Sequence, residues 1–237
     1  ALPTIEGALL AALVQTRLVP DARSCGLSRG GRTDKGVSAF GQVVSLRIRS
    51  ALPARHPLDQ ELAYIALLNR ALPPDIRVLA WSPTPDNFSA RFSCESRTYR
   101  YHFLRGTYDL QAMHSAAQGF VGRHDFRWFC KADRAAPDRD TQRTLIDVDL
   151  LQTRAGSDLA VRGHAFLWHQ IRFMMGVLFA VGEGRETPAV VPAMLAGATA
   201  VLPDGTPAPA PPDLVPADPR PLVFYDLTYP PHTLAWR

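Results

Sequence analysis

The 237-residue chain reads as an α+β fold with a largely antiparallel sheet flanked by helices. Three observations predict it. Apolar residues recur at helical spacing in four separate stretches, and period-two alternation marks several others. The two kinds of segment then mix without the regular strand–helix–strand order that a parallel sheet requires. The length suits one large domain or two fused lobes around a sizeable core.

Taken in order, Thr4 is placed to cap a helix with Ile5, Leu9, Ala12 and Leu13 on one face, stopped near Pro20. Residues 43–46 read as a strand. A second helix is expected over 58–72, with Leu62, Ile65, Ala66 and Leu72 in register, ended by Pro73 and Pro74. Residues 76–82 alternate as a strand does, and residues 97–103 do so more clearly. There Tyr99, Tyr101 and Phe103 share one face, and Thr98, Arg100 and His102 the other. Asp109 opens a helix through Leu110, Met113, Ala117 and Phe120 that ends at Gly122. Two strands follow at 144–151 and 159–165. Residues 166–179 form a helix apolar nearly all round, hence buried. Residues 201–221 hold eight of the 21 prolines and read as an extended connector, and 222–227 as a last strand.

Composition narrows the function. No apolar run approaches the ~20 residues of a membrane span, and the first residues carry no signal-peptide pattern. Cys25, Cys94 and Cys130 are odd in number and widely spaced, which suits neither a disulfide framework nor a zinc site and points to a reducing intracellular compartment. The net charge of +4 is unevenly placed: residues 1–182 hold 23 Lys and Arg against 16 acids, residues 183–237 only 3 against 6. A basic surplus confined to one part of the chain suits a phosphate backbone as partner. Arginine outnumbers lysine 24 to 2, a skew that fits the Ala- and Pro-rich composition as well as phosphate recognition.

The chemistry concentrates in Gly31-Arg32-Thr33-Asp34-Lys35-Gly36-Val37. One carboxylate sits between two cations in a glycine-bounded loop that cannot continue a helix. Neighbouring positive charge favours the ionised form of Asp34, as a nucleophile or general base acting on a polyanion needs. The competing reading is a plain surface turn. Against it stands Arg172, the one formal charge of the apolar helix. A buried guanidinium needs a partner, and Asp34 is the candidate. His169 and Gly176 fall on the same helix side as Arg172, where Gly176 lets another backbone come close. Tyrosines interleaved with arginines at 97–101 suit base stacking beside phosphate contacts.

At these residues the chain resembles the tRNA pseudouridine synthase A family. Gly31-Arg32-Thr33-Asp34-Lys35-Gly36-Val37 is similar to the family's catalytic loop. Phe88-Ser89-Ala90-Arg91, Arg97-Thr98-Tyr99-Arg100-Tyr101 and Phe166-Leu167-Trp168-His169-Gln170-Ile171-Arg172 resemble its other signatures, in the right order. Ser38–Val43, His124–Lys131 and Pro221–Asp226 further resemble the eukaryotic branch that modifies anticodon-stem uridines at tRNA sites 38/39. The resemblance implies a pseudouridine synthase fold over 1–237, with lobes at about 1–92 and 93–237. It implies Asp34 as nucleophile, Tyr99 stacking on the target base, Arg32 helping to extrude the nucleotide, and Arg172 pairing with Asp34. It also implies tRNA as partner, a homodimer, no cofactor, and residence in cytoplasm or nucleus. The family's first strand, with its Tyr-Asp-Gly-type motif, would lie before residue 1.

Other readings are weaker. Gly26-Leu27-Ser28-Arg29-Gly30 fits a nucleophile-elbow pattern, but no apolar strand precedes it and no helix follows. Lys35 precedes its glycine, so the loop is no phosphate-binding Walker motif. His164 and His169, five apart, cannot share a helix face as metal ligands, so core or supporting roles suit them better. Asp133, Asp138 and Asp140 alternate with arginines as in a solvated loop. The serious alternative is a catalytically silent tRNA-binding relative with the same basic face.

Overall fold

The structure, a computed structural model, describes residues 3–52, 60–132, 139–153, 156–199 and 214–237. Two compact units emerge. One draws on Ala1–Gly30, Val43–Ser93 and Tyr229–Arg237, the other on Gly31–Gln42 and Cys94–Thr228.

In the first unit, α1 (Ile5–Gln15) begins where Thr4, in extended conformation, accepts the Gly7 N–H on its hydroxyl at 3.0 Å. α2 spans Tyr64–Ala71 and is shorter than the periodicity suggests. The Glu61 carboxylate accepts the Ala51 and Leu62 amides, at 2.9 and 2.8 Å, holding this stretch in a loop. Residues 58 and 59 of the expected helix lie outside the described residues. A two-stranded antiparallel sheet pairs β1 (Ser28–Arg29) with β3 (Val44–Ser45). Ala12, Leu13, Leu18, Val19, Cys25, Tyr64, Leu68 and Leu72 form the core. Residues 76–82 form no strand despite their alternation. The Asn69 side-chain amide takes both backbone groups of Val78, at 2.8 and 2.9 Å, so a side chain substitutes for a neighbouring strand.

The second unit is built on a six-stranded sheet in the order β2-β8-β4-β7-β6-β5. These strands are β2 (Ser38–Ala39), β4 (Ser96–Phe103), β5 (Gly122–Asp125), β6 (Gln142–Gln152), β7 (Ser157–Gly163) and β8 (Leu222–Thr228). Every pairing is antiparallel except the short parallel contact of β2 with β8. The predicted α+β class with a largely antiparallel sheet is what the chain adopts. α3 (Leu110–Gln118) starts at Asp109, whose carboxylate accepts the Gln111 and Ala112 amides at 3.0 Å each. It packs on β6 and on α4 (Gln170–Gly182). α5 (Val190–Gly197), which the sequence reading did not mark, buries Val191, Met194 and Leu195, with Pro192 tolerated in its first turn. Met113, Phe120, Phe126, Phe129, Val148, Leu159, Met174, Leu178 and Phe224 are all but inaccessible to solvent and form this unit's core. Of the proline-rich connector, 201–213 lie outside the described residues.

Candidate active site

The loop that carries Asp34 is fixed at both ends within the second unit. Gln42 closes its neck: the side-chain amide donates to the Gly31 carbonyl at 3.0 Å, and the side-chain oxygen accepts the Gly31 amide at 3.3 Å. Ser38 and Ala39 lie parallel to Val223 and Phe224, and the Phe40 amide donates to the Phe224 carbonyl at 2.9 Å. Between these anchors the Val37 amide returns to the Asp34 carbonyl at 3.1 Å, closing a tight turn. A Cβ on Gly31 would stand 3.2 Å from the Phe224 ring, so this residue's bareness lets the loop run close over an aromatic floor. Val44–Ser45, read from sequence as a strand, pairs with β1, and the loop is held by β2 on β8.

Arg172 reaches Asp34 as the buried-charge argument requires. Its Nη1 lies 3.6 Å from Asp34 Oδ2, and the two side chains are only 13% and 22% exposed. A second contact fixes the guanidinium: Nε donates to the Ala217 carbonyl at 2.7 Å, while the Ala217 amide donates to the Arg172 carbonyl at 2.9 Å. The backbone around Val215 thus runs against α4, and Gly176 makes the approach possible. A Cβ there would fall 2.2 Å from the Val215 carbonyl oxygen.

His169 departs from expectation. The apolar run reads as one helix from Phe166, yet α4 begins at Gln170, and His169 is its N-terminal boundary in left-handed conformation, φ 64° and ψ 8°. Such a backbone in a non-glycine residue costs on the order of 1–3 kcal/mol. The buried Gln170 holds the turn, its side-chain oxygen accepting the Leu167 amide at 2.8 Å. The turn aims the imidazole at the carboxylate, with Nε2 3.4 Å from Asp34 Oδ2. Burial pushes the imidazole below its ordinary pKa; Asp34 opposes this, and Arg172 and Lys131 reinforce it. The sequence reading gave His169 only a core or supporting role. Its spacing three residues before Arg172 was the available signal.

Tyr99 sits in the same unit, 8% exposed, its ring edge-on to Phe224 at 4.7 Å and to Phe166 at 5.0 Å. Burial raises its phenol well above the usual range, and the nearby Asp34 charge adds to that. The opposite face of β4 carries Arg100 and His102, as the alternation predicts. Both turn to the buried Asp158, at 3.8 and 2.6 Å. Arg32 lies on the loop, exposed to solvent. The Phe88–Arg91 signature belongs to the first unit, where Ala90 is fully buried and its carbonyl accepts the Tyr229 hydroxyl at 2.7 Å.

The weaker motifs are absorbed by structure. The Ser28 hydroxyl is 2.9 Å from that of Ser89 and so is tied up within the first unit. His164 Nδ1 faces the Glu95 carbonyl at 2.8 Å. Asp140 accepts the Gln142 amide at 2.8 Å, while Asp133 and Asp138 lie outside the described residues. No helix among the described residues is long and apolar enough to cross a membrane.

The chain is also similar to known proteins. Residues 116–230 match the family described as tRNA pseudouridine synthase. The chain is 45% identical over 218 residues to the tRNA pseudouridine(38/39) synthase of Bos taurus, covering 81% of this chain and 45% of the relative. It is 41% identical over 240 residues to the Saccharomyces cerevisiae protein of the same name, covering 97% of this chain and 52% of the relative. It therefore spans about half the length of these eukaryotic relatives. A tRNA pseudouridine synthase A from Methanoculleus marisnigri is 35% identical over 228 residues, covering 95% of this chain and 74% of the relative. With matches of this extent and a mixed sheet-and-helix fold to accompany them, the chain belongs to the tRNA pseudouridine synthase family.

Proposed function

We propose that this protein isomerises uridine in tRNA to pseudouridine, with Asp34 as the nucleophile. The observation that carries the reading is a carboxylate held on an anchored loop, with Arg172 and His169 converging on one of its oxygens, in a chain of this family. The reaction breaks the N1–C1′ bond, turns the base and joins C5 to C1′. The C5 proton leaves and N1 gains one, so no atom or electron is gained overall and no cofactor is needed. A single fixed carboxylate supplies the chemistry by attack at C1′, by taking the C2′ proton, or by addition to the base. A uridine inside a stem must first leave the stack. Tyr99, on the aromatic floor beside Asp34, offsets part of that cost by contact with the extruded base, at ~1–3 kcal/mol per stacked base. Arg32, exposed on the same loop, helps to extrude the nucleotide.

The finer reading is that the substrate uridines are the 38/39 sites of the anticodon stem, that the working protein is a homodimer, and that it acts inside the cell. Similarity to relatives named for the 38/39 sites supports the first of these. The silent tRNA-binding alternative retains the basic face but has no use for an arginine and a histidine focused on one carboxylate. The test is incubation with unmodified tRNA followed by carbodiimide-dependent reverse-transcription mapping. Stops at 38 or 39 support the reading. Tight tRNA binding with no stop anywhere supports the silent relative.

A further inference from the structure

We propose that His169 positions the Asp34 carboxylate and couples its reactivity to the protonation of one imidazole. The inference rests on the reading of Asp34 as nucleophile. Its starting point is the backbone. Among the described residues three non-glycine positions have positive φ, and His169 is the one in the second unit other than glycines. Left-handed turns favour glycine, with asparagine next, so a histidine there calls for a reason. The conformation is imposed from several directions. Gln170 braces the Leu167 amide, the Lys131 amide donates to the Trp168 carbonyl at 2.9 Å, and the Phe173 amide donates to the His169 carbonyl at 3.1 Å. The result is an imidazole whose Nε2 is 3.4 Å from the oxygen that Arg172 approaches at 3.6 Å.

The groups facing this imidazole are few. Asp34 comes from the loop, Arg172 from α4, and Lys131 from the segment before the sheet's β6, its Nζ 4.5 Å from the centre of the Trp168 ring. The Trp168 and Phe173 rings are centred 5.3 and 6.4 Å away. Burial and the two cations favour the neutral imidazole. With its proton on Nε2 the neutral ring steadies Oδ2 without a second formal charge; with the proton on Nδ1, two lone pairs would oppose each other. Acidification turns the ring into an imidazolium. Two cations then hold the same carboxylate oxygen and weaken it as a nucleophile or base. The rate should fall as the imidazole gains its proton.

Two measurements test this. In the first, the His169 ring proton, assigned by its loss in His169→Asn, is titrated by NMR in the wild-type chain and in Asp34→Asn. Removing the carboxylate should move the imidazole titration to lower pH; an unchanged titration overturns the proposal, whether or not the protein is active. In the second, single-turnover pseudouridine formation is followed against pH in wild type, His169→Asn and His169→Gly. Glycine accepts the left-handed turn without strain, so a merely structural histidine would lose nothing by it. The proposal expects both variants to fold, to bind tRNA within a few-fold of wild type, and to react at least about tenfold more slowly at neutral pH. It also expects their acid limb to lie at lower pH than that of wild type. A wild-type rate in His169→Gly, or an unmoved acid limb, refutes it. If wild type forms no pseudouridine at all, the functional reading fails, and the NMR titration still decides whether His169 and Asp34 are coupled.

Discussion

Replacing Arg172 with methionine tests the fold and the chemistry together. Methionine keeps much of the side chain's length and suits an apolar helix, but it removes the guanidinium. At the observed 3.6 Å, two unit charges in an effective dielectric near 20 attract by about 4–5 kcal/mol. The substitution also leaves the Ala217 carbonyl without the charged donor it now accepts at 2.7 Å, a bond of a kind worth about 1.5–3 kcal/mol. Against this, Asp34 keeps 22% of its side-chain surface in water, so the stranded carboxylate can partly hydrate. A net loss of about 2–4 kcal/mol follows, short of the full cost of orphaning a deeply buried charge. Adding Asp34→Asn removes the stranded charge and should restore about 1–2 kcal/mol, while activity stays absent. Urea unfolding of wild type, both single variants and the double variant measures this directly. If the double variant loses the simple sum of the two single losses, the pair is not coupled, and the reasoning from buried charge to active site collapses.

Other outcomes are expected. Tyr99→Phe should keep a measurable fraction of wild-type activity in a single-turnover assay, because the ring and its contacts with Phe166 and Phe224 remain. Tyr99→Ala should lose most activity and, being a large-to-small change in a buried aromatic cluster, about 3–5 kcal/mol of stability; equal activity losses would point to the hydroxyl instead. Gly176→Ala should lower thermal stability and weaken the hold on Arg172, since its Cβ would meet the Val215 carbonyl oxygen at 2.2 Å; an unchanged melting temperature would contradict that close approach. Asp125 gives a pH prediction. Burial alone would raise its pKa, but hydrogen bonds from Thr141 and from the Arg127 side chain and backbone bring it below the ordinary aspartate value. Its contribution is therefore present above the unfolded pKa of about 3.9 and is lost as pH falls through the lower folded value. Thr141→Val should reduce this acid-side loss, and an identical pH–stability curve would refute the assignment.

What the sequence revealed and what it hid have physical causes. β4 was legible because one face of it is buried, so Tyr99 and Tyr101 alternate with Arg100 and His102 at the period of a strand. The pairing of Arg172 with Asp34 was legible because a lone charge in an apolar helix restricts its own partners. Gly176 was legible for a related reason: a bare position on a buried helix invites a neighbouring backbone, here that of Val215. The left-handed turn at His169 was not, since Gln170 enforces it through a side-chain contact that looks in sequence like more of the same helix. Nor was the seat of the loop that carries Asp34. Ser38 and Ala39 pair with Val223 and Phe224, far away in the chain, and two residues offer no periodicity to read. At 76–82 the pattern misled, because alternation reports an extended backbone and not the partner that satisfies it, which is Asn69.

The central claim is that Asp34 carries the reaction, and Asp34→Asn measures it most directly. The substitution preserves shape on an exposed-to-buried boundary and leaves all 24 arginines, on which the proposed tRNA binding would rest, in place. Wild type and variant are mixed in excess with unmodified tRNA, and pseudouridine is read by carbodiimide mapping while affinity is measured on the same samples. The account predicts no detectable pseudouridine from Asp34→Asn at an affinity within a few-fold of wild type. Turnover by the variant at about a tenth of the wild-type rate or faster, against the losses of several orders expected for a missing nucleophile, would contradict it.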